Sequence, residues 1–187
     1  MVKARSPRAE RFEDIVSEVF DPLQRYLHRR LPADAVDDVL AETLSVVWRR
    51  LDDVPDGASL PWCYGVARRM LSNYRRGDQR RLRLVERLSV EPQQAGADPQ
   101  DADTGDPDLK TALGHLSDSE RELIHLWAWE QLEPREIAVV IDATPNAVSL
   151  RLTRTKQKLA DLLIRQNRHS SGHTPDMQVP ESSVGEM

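Results

Sequence analysis

The chain has 187 residues and a formal net charge of -5, with 39% hydrophobic and 30% charged residues. This length suits one medium domain or two small ones, and the composition excludes a wholly disordered chain. No apolar run approaches the ~18 residues of a membrane span, the start lacks the apolar core of a signal peptide, and the single cysteine, Cys63, excludes an internal disulfide. We therefore expect a globular cytoplasmic protein without membrane insertion.

Two amphipathic segments follow a short polar start, which we expect to be loose. In residues 12–27 apolar side chains recur at intervals of three and four, which predicts a helix. Because a proline interrupts a helix, Pro22 predicts two helical pieces or a helix that begins near it. After a break at residues 31–32, Asp34 can cap a second helix, whose apolar stripe ends at Leu51.

The segment 60–83 predicts a helix with two opposite faces. Residues 52–61, just before it, contain two prolines and a glycine and read as a loop. At about 100° per residue, an apolar arc around Trp62 lies across from a cluster of arginines. These are Arg68, Arg69, Arg75 and Arg76. Such a face can bind anions, and a solvated basic face on a packed helix is the alternative.

A change of composition divides the chain at residues 91–108. This stretch holds acidic but no basic residues, is rich in proline and glycine, and offers nothing apolar beyond alanine. It predicts a flexible acidic linker. We therefore predict an all-α fold of two small helical domains, residues 10–90 and 109–168, joined by this linker, with a disordered tail at 169–187.

The second domain carries the most specific local pattern. A capping box at residues 117–120 begins one helix. Residues 134–140 then predict a short helix, residues 141–143 a tight turn, and Thr144 an N-cap with Pro145 at the first helical position. A short helix, a tight turn and a basic helix are typical of a helix-turn-helix. A helical hairpin with a solvated basic face is the alternative.

The predicted helix-turn-helix defines a set of DNA-binding residues that begins at Thr144. In this motif the N-terminal half of the second helix enters the major groove. We therefore expect contacts at or near base edges from Asn146, Ser149 and Arg151. We expect phosphate contacts from Arg154, Lys156 and Lys158.

The two halves together resemble the extracytoplasmic-function (ECF) group of bacterial sigma factors over residues 12–163. The resemblance implies a two-domain initiation factor that directs core RNA polymerase to promoters and begins DNA melting. It implies contacts with promoter DNA and with the polymerase, at the β′ clamp coiled coil and the β flap, and it makes an anti-sigma factor a possible partner. It implies no catalytic residue, metal or cofactor.

Residues 38–48 are similar to the polymerase-binding helix of that group, which implies contacts with the β′ clamp. The contacting residues would be Asp38, Ala41, Glu42 and Thr43, with Ala41 standing where a glutamine is usual. Residues 52–61 correspond to the specificity loop that captures a base flipped out of the minus-ten element. The implied minus-ten residues are Asp52, Val54, Ser59, Arg68, Arg69, Arg75 and Arg76. The second domain matches the minus-thirty-five helix-turn-helix at Glu136, Ile137, Ala138, Val148, Arg151, Leu152 and Arg154.

An enzyme and a dimeric transcription regulator are the alternative functions. An enzyme is disfavoured because the five histidines have no paired ligand spacing, and because Asp37, Asp38 and Glu42 lie where a helix start favours acids without any metal. A dimeric helix-turn-helix repressor or activator would use the second domain alone and would bind a twofold-symmetric operator. That alternative gives no role to the arginine face of residues 60–83.

Overall fold

The computed structural model describes residues 6–88 and 106–170, and within these ranges the chain forms seven α-helices and no strand. The first half contains α1 (Pro7–His28), α2 (Ala33–Arg49), a 3-10 turn (Leu51–Asp53) and α3 (Ser59–Leu88). The second half contains α4 (Pro107–Gly114), α5 (Asp118–Ala128), α6 (Pro134–Ile141) and α7 (Pro145–Ser170). The predicted all-α fold is confirmed. Most of the predicted linker and nearly all of the predicted tail lie outside the described residues.

Helix α1 is one continuous helix, so the predicted division at Pro22 was wrong. The helix begins at Pro7 and includes Pro22. A proline removes a single backbone hydrogen bond, and here burial of a long apolar face on the same helix outweighs that loss. The residues buried on this face are Ile15, Val19, Leu23, Tyr26 and Leu27.

The boundaries of the next elements also differ from the predictions. Pro32, not Asp34, is the N-cap of α2, and Asp34 lies in the first turn, where its charge suits the helix dipole. Helix α3 begins at Ser59, so the loop before it is shorter than predicted. Pro61 fits in the first turn of α3, because an N–H group there would have no hydrogen-bond acceptor within the helix. Gly57 bends the loop with a φ of 74°.

Helix α3 has the two faces that its sequence predicts. Cys63, Val66, Ala67 and Leu71 are buried, and the four arginines Arg68, Arg69, Arg75 and Arg76 are exposed on the opposite side. Burial raises the pKa of the Cys63 thiol to about 12, which keeps it protonated and unreactive. The helix continues through Gly77 without a break.

Local capping sets the helix ends of the second half. Asp106 accepts hydrogen bonds from two backbone N–H groups at the start of α4, so this helix begins inside the stretch predicted as linker. Ser117 and Glu120 form the predicted capping box of α5. Asp142 ends α6 with a φ of 57°, and Thr144 Oγ1 accepts from the Ala147 N–H at 3.3 Å at the start of α7.

The two halves pack against each other over α3 and α6. At this crossing, a Cβ on Gly65 would lie 3.4 Å from the Val140 carbonyl oxygen. A methyl group there would make ordinary contact, and a larger side chain would meet the backbone of α6. The absent side chain of Gly65 therefore permits the close crossing.

A buried group of charged and polar side chains joins the halves beside this crossing. We call it the inter-half cluster; it consists of Tyr26, Arg29, Arg30, Glu122 and Glu130. Arg30 Nη1 donates to Glu130 Oε1 at 3.0 Å and Arg30 Nε lies 3.5 Å from Glu122 Oε2. Arg29 donates to the other oxygen of Glu130, and the Tyr26 hydroxyl donates to Glu122 Oε1 at 3.1 Å. The side chains of Arg30 and Glu130 are only 1% and 2% exposed.

Electrostatics within the cluster follow from burial and from the paired charges. Burial, reinforced by Glu122, raises the pKa of the Tyr26 hydroxyl well above its usual value. Burial alone would lower the pKa of Arg30, but attraction to Glu122 and Glu130 raises it instead. Arg30 is therefore fully charged, and it needs the two carboxylates because an unpaired buried charge is strongly destabilising.

His125 lies buried beside the cluster and stays neutral. Its ring stacks on Trp129 with the centroids 3.9 Å apart, and neither ring nitrogen has a hydrogen-bond partner among the described residues. Burial, reinforced by Arg30 and Arg121, lowers the pKa of His125 to about 3. In the unfolded chain an ordinary histidine pKa is near 6.5.

This difference predicts a pH dependence of stability. Below pH 6.5 His125 binds a proton in the unfolded chain but stays neutral in the folded chain. The free energy of unfolding therefore falls as the pH falls towards 3. Between pH 7 and pH 5 this one group should remove about 2 kcal/mol from the free energy of unfolding. Urea unfolding at pH 7 and at pH 5 measures this loss of stability. We expect the loss to be smaller by that amount for His125→Phe than for the unmodified chain. Equal losses would contradict the assignment.

Candidate nucleic-acid and polymerase interfaces

The start of α7 presents most of the side chains predicted to contact DNA. Thr144, Asn146, Ser149, Arg151 and Arg154 are all exposed. The Ser149 hydroxyl donates to the Pro145 carbonyl at 2.9 Å, which leaves its oxygen as an acceptor towards solvent. The buried side chains Ile137, Ala138 and Val148 fix the angle between α6 and α7. The exposed residues therefore project from a rigidly packed helix.

The two predicted phosphate-binding lysines are engaged within the second half. Lys156 Nζ lies 3.2 Å above the Trp127 ring, and burial lowers its pKa. Lys158 Nζ lies 2.8 Å from Glu120 Oε2, and this hydrogen bond is the main cause of the lowered pKa of Glu120. Both lysines reach α5, so they would have to give up these contacts to bind a phosphate.

Two of the predicted minus-ten contacts are core residues. Val54 is 3% exposed and Ser59 is 7% exposed, and the Ser59 hydroxyl donates to Glu18 Oε2 at 2.7 Å. Asp52 is exposed, but its carboxylate lies 2.8 Å from Arg8. Val54 and Ser59 thus anchor the two ends of the loop and are wrong as side chains that meet a base.

The exposed part of the loop also contains four residues outside the predicted set of minus-ten contacts. They are Asp53, which lies directly before the buried Val54, and Pro55, Asp56 and Gly57, which lie between Val54 and α3. Their exposure could not be read from the sequence, because a loop has no periodicity that separates inward from outward positions. These residues and the arginine face of α3 are the exposed parts of the segment that the resemblance assigns to the minus-ten strand.

Helix α2 presents three of its four predicted polymerase contacts. Asp38, Ala41 and Glu42 are exposed on neighbouring positions. Thr43 is fully buried, and its hydroxyl donates to the Val39 carbonyl at 2.7 Å. Thr43 is therefore wrong as a surface contact; it belongs to the apolar stripe that packs α2 against the core.

The structure brings together arginines that the sequence assigned to separate sites. Arg68 of α3 lines one cavity with Arg151 and Arg154 of α7, and the cavity has a volume of 450 Å³. Glu120 and Glu122 lie on its wall as well. One arginine of the α3 face and two predicted DNA contacts of α7 therefore lie around the same cavity.

Residues 6–88 and 106–170 contain neither a metal-binding group of side chains nor a membrane-spanning helix. No three residues among His, Cys, Asp and Glu there are grouped so that they could hold a metal ion. None of the described helices combines the length and the apolar character needed to cross a membrane.

Comparison with known sequences finds a relative among the sigma factors. RNA polymerase sigma factor NccH of Alcaligenes xylosoxydans xylosoxydans is 26% identical over 140 residues, which cover 71% of this chain and 75% of the relative. No model of a protein family matches the chain.

Comparison with solved structures finds the same fold. The sigma factor RpoE from Bartonella quintana, solved with the anti-sigma factor NepR, gives a TM-score of 0.58 at 21% identity over 82% of this chain and 96% of that chain. CnrH, solved with the cytosolic domain of CnrY, gives 0.55 at 24% identity over 84% and 95%. A chain of the PhyRSL–NepR complex from Sphingomonas sp. Fr1 gives 0.56 at 14% identity over 94% and 98%. These likenesses extend over both helical halves.

Proposed function

We infer that this chain is an RNA polymerase sigma factor of the ECF group, since its motifs, its NccH relative and its fold agree. On that premise we propose which surface binds which partner. The observation that carries the proposal is the pair of exposed basic surfaces, one on α3 and one on α7, in a chain of this fold. We propose that it directs core RNA polymerase to promoters in the cytoplasm and begins DNA melting.

The second half is proposed to bind the minus-thirty-five element. Asn146, Ser149 and Arg151 project from the first turns of α7 and supply donors and acceptors of the kind that read base edges in a major groove. Arg154 lies one turn further on, where a phosphate contact is expected. Thr144 supports this geometry by capping the helix.

The first half is proposed to hold the melted minus-ten strand. Unstacking a base costs a few kcal/mol, which a pocket for the base and cations along the strand offset. The exposed loop residues around Asp56 would receive the base. The cations would come from the exposed arginines of α3.

The exposed positions Asp38, Ala41 and Glu42 of α2 are proposed to contact the β′ clamp, and the second half to contact the β flap. The three α2 positions lie on the opposite side of that helix from its buried stripe. An anti-sigma factor is proposed as a regulatory partner, because RpoE of Bartonella quintana was solved with the anti-sigma factor NepR. The repressor or activator alternative has no support among the relatives.

Run-off transcription tests the proposal directly. Purified core polymerase would be incubated with a fragmented genomic library, with and without the protein, and the transcript starts sequenced. New starts that share two spaced upstream elements are expected. If no starts appear and the protein binds a palindromic site tightly without polymerase, the repressor alternative replaces this function.

Arg151→Ala tests the recognition helix. The guanidinium is exposed, so its removal should leave the fold intact. Promoter binding by the holoenzyme should weaken by about 1 to 3 kcal/mol, and the base preference at one position of the minus-thirty-five element should be relaxed. Electrophoretic mobility assays on the mapped promoter measure both. Arg168→Ala, an exposed arginine near the end of the same helix, is the matched control and should bind normally. Unchanged affinity and preference for Arg151→Ala would contradict the assignment.

Glu42→Arg tests the polymerase-binding surface. Reversing this exposed charge should lower the affinity for core polymerase roughly tenfold or more, since a like-charge contact at an interface costs several kcal/mol. A pull-down with tagged core enzyme measures the yield. Asp21→Arg makes the same charge change on α1 and should leave the yield normal. A normal yield with Glu42→Arg would remove α2 from the interface.

A further inference from the structure

Two arginines of α1 brace the segment that joins α2 to α3. Arg8 Nη1 lies 2.8 Å from Asp52 Oδ2, and Arg8 Nη2 donates to the Trp48 carbonyl at 2.8 Å. One turn further along α1, Arg11 Nη2 donates to the Val54 carbonyl at 3.0 Å and to Asp56 Oδ1 at 3.2 Å. Each guanidinium thus binds one backbone carbonyl and one carboxylate, which fixes the main chain and a side chain together.

These contacts also determine the charge of the segment. Its three aspartates are each held by an arginine, because Asp53 lies 2.8 Å from Arg50 Nε while Asp52 and Asp56 bind Arg8 and Arg11. Three unpaired carboxylates would repel the phosphates of a DNA strand. Paired as they are, the segment is close to neutral.

We propose that Arg8 and Arg11 are positioning residues for minus-ten recognition: they hold residues 52–56 in the shape that receives the flipped base and neutralise the loop carboxylates. The proposal rests on the proposed function of this loop. Exposed ion pairs are individually weak. The backbone contacts matter more, because the Val54 carbonyl belongs to a residue whose side chain is buried, so the arginine and the core hold the same residue from two sides.

The test measures base discrimination by the holoenzyme. Single-stranded oligonucleotides would carry the mapped minus-ten element with each of the four bases at the captured position, and the ratio of the best to the worst affinity would be measured. Arg8→Ala/Arg11→Ala should reduce this ratio on the order of tenfold, or about 1.4 kcal/mol, while binding of the minus-thirty-five duplex and of core polymerase stays normal. Arg11→Lys should restore part of the ratio, because it keeps one donor and the charge.

The controls distinguish the role of Arg8 and Arg11 from a general effect of substitutions in α1 and from a failure of the function proposed for the loop. Arg25→Ala, an exposed arginine at the other end of α1, should keep the full ratio. An unchanged ratio in Arg8→Ala/Arg11→Ala would overturn the proposal and leave the sigma function intact. If the unmodified holoenzyme prefers no base at any minus-ten position, the assigned function of the loop fails, and this proposal fails with it.

Discussion

The arrangement of the molecule depends on the ion pairs between Arg30 and the two carboxylates Glu122 and Glu130. Apolar packing alone is tolerant of sliding, whereas a buried guanidinium must meet its acceptors within a few tenths of an ångström. Arg30 and Glu130 therefore fix the halves at one angle, and Gly65 allows the helices to approach closely at that angle. Every surface assigned to DNA acquires its orientation towards the other half from this constraint.

Helix α1 connects this constraint with the loop before α3. Its last turn supplies Tyr26 and leads into Arg29 and Arg30, while its first turns supply Arg8 and Arg11 to the loop. A division at Pro22 would uncouple these two ends. The continuous helix instead sets the distance between the loop and the second half, and it does so through contacts that are polar at both ends and apolar along the middle.

Periodicity and capping chemistry were enough to predict most helices, because they are local properties of the sequence. The two faces of α3, the capping box at Ser117 and the position of Pro145 all follow from such rules. The burial of Val54 and Ser59 did not follow from them, because a family resemblance aligns residue types without fixing which way a side chain points. The partners of Lys156 and Lys158 were equally hidden, since they lie on a different helix.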